Sequence, residues 1–100
     1  MEENEECCVR HKHRNEMEYK DLIHRLNRLE GQIRGVKRMV EEEYYCVDIL
    51  TQVSAIQAAL NSFNKVLLSS HIRSCVVEEI KDGNEQVIDE LLCTIQKIMK

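Results

Sequence analysis

Apolar residues fall along this chain in two long helical stripes and one short one. Leu22, Leu26, Leu29, Ile33, Val36 and Val40 recur at steps of three and four, the spacing of one helix face, and predict a helix running to about Glu42. After the acidic break Glu41 to Glu43, the same spacing resumes at Ile49, Val53, Ile56, Leu60, Phe63 and Leu67. No Gly or Pro interrupts the chain between Val36 and Asp82, so one long helix is expected from near Tyr45 to about Lys81. Asp82-Gly83-Asn84 is a turn signal, with Gly83 suited to the left-handed residue after a helix and Asn84 to an N-cap. Val87, Ile88, Leu91, Leu92, Ile95 and Ile98 then mark a third apolar face. The pattern predicts an all-α fold: a three-helix protomer with a long antiparallel hairpin and a short C-terminal helix, dimerising into a four-helix-type bundle. Residues 1–17 lack the periodicity and are expected to form a flexible N-terminal tail, leaving 18–100 as a single helical domain.

Composition sharpens this picture. With 100 residues, no Trp and a single Phe, a monomer has little with which to build a core, and association is the usual remedy. The absence of a signal-peptide pattern or a transmembrane run points to a cytoplasmic chain. Five cysteines, at 7, 8, 46, 75 and 93, form an irregular odd set. In a reducing compartment such a set fits metal binding or redox sensing better than a disulfide framework. The net charge of −4 conceals a basic stretch: residues 20–38 hold Lys20, Arg25, Arg28, Arg34, Lys37 and Arg38 against Asp21 and Glu30, a local +4. These side chains do not form one stripe, so charge alone fits a solvated face as well as a nucleic-acid surface. Gly31 and Gly35, unfavourable inside a helix, are expected to permit a close approach by DNA or another helix.

Cys46, His71 and Cys75 carry the candidate chemistry. His71 and Cys75 are four apart and share a helix face. Cys46 lies 25 residues before His71, or about 37 Å along a helix axis, far beyond the roughly 2 to 2.3 Å of a metal–ligand bond. An antiparallel copy of the helix would set Cys46 of one chain beside His71 and Cys75 of the other, and twofold symmetry would build that site twice. A buried Cys is ordinarily a small hydrophobe, but an imidazole in an apolar seam needs partners. Two thiolates and one imidazole make a soft three-donor set, suited to Cu(I); zinc usually takes four donors, and Ni(II) would need another.

The run His24-Arg25-Leu26-Asn27-Arg28-Leu29-Glu30-Gly31-Gln32-Ile33-Arg34-Gly35-Val36, followed by Tyr45-Cys46-Val47-Asp48-Ile49-Leu50 and Gln52-Val53-Ser54-Ala55-Ile56-Gln57-Ala58-Ala59, resembles the copper-sensitive operon repressor (CsoR) family. The likeness covers nearly everything from Asp21 onward. It implies an all-α transcriptional repressor that forms dimers and then disc-shaped homotetramers, binds operator DNA without a helix-turn-helix, and releases it when an inducer binds. It places the Cu(I) ligands on Cys46 of one subunit and His71 and Cys75 of its neighbour, with Tyr45 and Glu90 bonded to the ligating imidazole. DNA contacts are expected from Arg25, Arg28, Arg34, Lys37 and Arg38, with Gln32 a further polar contact. Nickel and cobalt members recruit an extra ligand at a position that falls here on Arg14, which cannot serve.

Other readings fit the same residues. A persulfide- or thiol-responsive repressor would use Cys46 and Cys75 as a reactive pair, and a Ni(II) or Zn(II) sensor would draw on Cys7, Cys8, His11 and His13. A metal-storage protein would leave the basic first helix without a purpose. No Gly-rich phosphate loop or oxyanion donor suggests an enzyme, and Cys93 reads as a packing or surface thiol.

Overall fold

The computed structural model describes residues 11–99, and every regular element among them is helical. Helix α1 spans Glu16–Glu41 and α2 spans Cys46–His71. The chain then widens into one π-helical turn, Ile72–Val76, resumes as the short α3, Val77–Lys81, and ends in α4, Gln86–Ile98. The hairpin and the short C-terminal helix expected from the apolar pattern are therefore present. Three boundaries differ. Helix α1 starts at Glu16, inside the stretch read as tail, because Asn15 caps it: its Oδ1 accepts from the Glu18 amide at 2.7 Å. The long second helix is not uniformly α, since the π turn interrupts its last third. The N-cap of α4 is Glu85 rather than Asn84, although Asn84 Oδ1 still accepts from the Gln86 amide at 3.2 Å.

Both reversals of direction use the same backbone device. After α1, the Glu43 amide donates to the Val40 carbonyl at 3.1 Å and the Tyr44 amide to Met39 at 2.9 Å. After α3, Gly83 donates to Ile80 at 3.0 Å and Asn84 to Glu79 at 2.9 Å. Each is a Schellman closure, which needs a left-handed residue after the cap. Gly83 supplies it at φ 86° without cost, whereas Glu43 holds φ 59° despite its side chain.

Packing is sparse. Leu22 and Leu29 of α1 and Ile56 of α2 are buried in the hairpin seam, and Val76 of the π turn and Val87 are buried where α4 folds back. No side chain among the described residues is completely enclosed. Ile33, Val40 and Leu92 are each more than half exposed despite lying on the predicted apolar faces, and Leu50 is more than half exposed as well. The radius of gyration, 17.4 Å, exceeds the about 13 Å of a compact chain this long, and the long axis reaches 55 Å. A lone protomer thus leaves much of its apolar surface in water, a cost that burial against another surface would remove. No helix among the described residues is long and apolar enough to cross a membrane.

Candidate metal centre

The two ends of α2 hold different parts of the donor set. Cys46 is its first residue, exposed, with Tyr45 at the N-cap and also exposed. Tyr45 caps through its backbone carbonyl, which accepts from the Asp48 amide at 3.0 Å, so its phenol remains available for other partners. At the far end His71 closes the α-helical run and Cys75 sits inside the π turn, both half-buried. Such wide turns are rare and concentrate at functional sites.

His71 and Cys75 open onto a groove of about 900 Å³ that also receives Glu79, Glu90 of α4, and His11, Lys12 and Arg14 from the segment before α1. That segment is fixed to the π turn by side chains. Lys12 Nζ donates to Ser74 Oγ at 2.6 Å, and Ser74 Oγ donates to the Ser70 carbonyl at 2.8 Å. The Ser70 hydroxyl in turn donates to Glu18. With its single proton so engaged, Ser74 Oγ makes only a 3.8 Å approach to Cys75 Sγ. No group among the described residues hydrogen-bonds to the His71 ring.

Within one protomer the three donors do not meet: no cluster of three metal-binding side chains occurs among the described residues. Cys46 and His71 stand at opposite ends of a 26-residue helix. Glu90 shares the groove with His71, whereas Tyr45 lies with Cys46 at the other end. Cys93 is exposed on α4 and does not line the groove. The donor chemistry fits a soft cation, since both thiols and the imidazole are accessible and free of strong competing hydrogen bonds.

The basic residues of α1 divide into two groups. Arg25 is tied down, its Nε 3.1 Å from Asp21 and its Nη1 donating to Ser62 of α2 at 3.3 Å, and Arg34 lies 3.8 Å from Glu30. Arg28, Lys37 and Arg38 are exposed and make no ion pair among the described residues. A Cβ on Gly35 would meet nothing within 4 Å, and one on Gly31 only the Arg34 guanidinium at 3.8 Å. The close approach expected at these glycines therefore does not occur among the described residues. Lys12, Glu18, Ser70 and Ser74 were not anticipated from the sequence. Their signals were the Asn15-x-x-Glu18 capping pattern and two serines four apart on the turn that carries His71.

The fold and the donors define a class of all-α protein: an elongated helical hairpin with soft donors at both ends of one helix and exposed cations on another. A family model for metal-sensitive transcriptional repressors matches residues 18–97, and the chain belongs to that family. It is 46% identical over 89 residues to the copper-sensing transcriptional repressor CsoR of Bacillus subtilis (strain 168), covering 88% of each chain. It is 49% identical over 59 residues to the copper-sensing repressor RicR of Mycobacterium tuberculosis (strain ATCC 25618 / H37Rv), covering 59% of this chain and 62% of that one. Its fold is similar to that of the copper-sensing repressor CsoR with Cu(I) from Geobacillus thermodenitrificans NG80-2, with a TM-score of 0.84 at 44% identity over 90% of this chain and 95% of that one. The nickel-responsive transcriptional regulator InrS is also similar, with a TM-score of 0.68 at 34% identity over 87% of this chain and 96% of that one.

Proposed function

We propose that this metal-responsive repressor senses Cu(I), binding operator DNA in its metal-free form and releasing it when Cys46 of one copy and His71 and Cys75 of a second hold the ion together. The observation that carries this reading is the placement of uncommitted soft donors at opposite ends of one 26-residue helix. Copper is favoured over nickel by the donor set and by Arg14, a permanent cation lining the groove where a further ligand would have to enter. The exposed apolar faces of α1, α2 and α4 favour a dimer, and a dimer of dimers is consistent with the area that remains.

A bound soft cation would supply bonds that join the two copies. The chain's own residues do the rest. The His71 ring, held at one nitrogen, presents the other to Glu90 across the groove and to Tyr45 arriving with Cys46 from the second copy, which fixes α4 relative to the hairpin. If this arrangement is disfavoured on DNA, operator affinity falls by the factor by which DNA weakens metal binding. Arg28, Lys37 and Arg38 are the foremost phosphate contacts because no ion pair among the described residues engages them, while Arg25 and Arg34 must first leave Asp21 and Glu30.

Mixing two defective chains tests the assembly. A Cys46→Ala chain combined with a His71→Ala/Cys75→Ala chain should regain one intact site per mixed dimer, read by anaerobic Cu(I) titration against a chelator. Binding no greater than that of the separate variants would overturn the shared site. For the DNA surface, Arg28→Ala, Lys37→Ala and Arg38→Ala should each flatten the log–log salt dependence of operator binding by about 0.9 per lost phosphate contact, with metal affinity unchanged. Salt slopes unaltered in all three would place the DNA elsewhere.

A further inference from the structure

The segment ahead of α1 lays a fixed positive charge beside the receiving end of α2. Lys12 is half-buried, its Nζ donates to Ser74 Oγ at 2.6 Å, and that oxygen lies 3.8 Å from Cys75 Sγ. The ammonium therefore stands within about 6 Å of the Cys75 thiol, near enough for its charge to be felt there. Ser74 gives its one proton to the Ser70 carbonyl at 2.8 Å, which leaves its oxygen free to accept and so to keep the ammonium in place. Lys12 makes no ion pair among the described residues. Of the carboxylates nearby, Glu18 accepts from Ser70 and lies 3.9 Å from Arg14, Glu79 accepts from Asn84 at 2.6 Å, and Glu90 lines the same groove.

We propose that Lys12 is a specificity-determining residue: pinned by Ser74, it holds a unit charge beside Cys75 and makes the site favour a monovalent over a divalent soft cation. This rests on the shared Cys46–His71–Cys75 reading and concerns which ion that site takes, not how it assembles. Softness alone does not decide, because thiolate and imidazole accept Zn(II) as well as Cu(I). Charge does. A fixed cation opposes every positive charge on the bound ion, so a divalent ion meets twice the repulsion of a monovalent one. At about 6 Å and the effective dielectric of a protein surface, the extra unit of charge lowers affinity by about 100-fold. Solvent and salt around a half-buried side chain reduce this to about 10-fold. Loss of the thiol protons is common to both ions and cancels in their ratio. Glu79 and Glu90 pull toward the divalent ion, and Lys12, with Arg14 across the groove, opposes them.

The probes are Cu(I) and Zn(II), titrated separately and anaerobically into the full reduced chain against competing chelators, each read as the binding that Cys75→Ala removes. Lys12→Gln keeps a donor for Ser74 but carries no charge. It should raise Zn(II) affinity relative to Cu(I) by about 10-fold, and the shift should shrink as salt is added. Lys12→Arg keeps the charge and should keep the wild-type ratio. Ser74→Ala releases the ammonium from its place and should move the ratio in the direction of Lys12→Gln. An unchanged ratio in Lys12→Gln would overturn the proposal. So would an equal shift in Lys12→Arg, since packing and not charge would then be responsible. Failure of the shared-site reading looks different: Cys75→Ala removes no binding and the mixed-chain experiment fails, and this proposal falls with it. Failure of the charge argument alone leaves both of those results intact and only the ratio unmoved.

Discussion

The two ends of α2 are built on different terms. At the N-terminal end Cys46 and Tyr45 stand exposed on a helix start with no side-chain cap, entered through a turn that forces Glu43 to φ 59°. At the C-terminal end His71 and Cys75 are half-buried around a π turn, held by Ser70, Ser74, Lys12 and Glu18, faced by Glu90, and left through a turn that Gly83 closes without strain. One end is a prepared receptacle and the other a projecting plug. On the proposed reading each copy would hold half of two sites, so loading would report on the relative position of the copies and not on one chain alone.

The largest effect should come from removing a thiol at either end. Cys46→Ala and Cys75→Ala should weaken Cu(I) binding at the shared site equally, by more than about 100-fold, the upper range for losing merely a supporting residue. Chelator competition on each variant measures it, and a large loss at one end alone would break the symmetry between plug and receptacle. A smaller effect should separate holding from signalling. His71→Ala, Tyr45→Phe and Glu90→Ala should keep metal on the two thiolates while the coupling to DNA, typically about 1 to 3 kcal/mol, shrinks. Operator affinity with and without saturating metal reads this, and a wild-type-sized drop in all three would exclude the imidazole as the link. The smallest concerns the turns. Glu43→Gly should stabilise the protein by about 1 kcal/mol by relieving the left-handed strain, seen as a raised denaturation midpoint at fixed protein concentration. No gain would mean that the Glu43 side chain offsets the strain with a contact in the assembly.

Much of this contrast was legible in the chain. Periodicity located the hairpin and the short C-terminal helix because a single apolar stripe suffices to mark an amphipathic helix. Gly83 announced its turn because only glycine takes that backbone freely. The 25-residue interval from Cys46 to His71 by itself keeps the three donors from meeting on one straight helix. Other features were not legible. Glu43 gave no turn signal, since its conformation is imposed by closure of the hairpin. The π turn leaves the i, i+4 pattern of His71 and Cys75 intact and so has no periodic signature. The early start of α1 depends on one hydrogen bond from Asn15, which apolar patterning does not register. Nor could charge sort the cations of α1, because whether Arg25 is engaged or loose depends on Ser62, 37 residues away.

The π turn makes chain length a heritable variable. Its hydrogen bonds close one residue later than those of an α-helix, as from the Val77 amide to the Ile72 carbonyl. Deleting a single exposed residue there, Ile72 or Arg73, would let the backbone close as ordinary α-helix with every ligand still encoded. Because the wide turn takes up one extra residue over nearly the same rotation, everything downstream would stay close to its place, whereas Cys75, inside the turn, would move to three residues after His71 and be re-aimed. On the proposed reading, loss of one codon would thus separate two ligands in a protein that still carries Cys46, His71 and Cys75 and still exposes Arg28, Lys37 and Arg38.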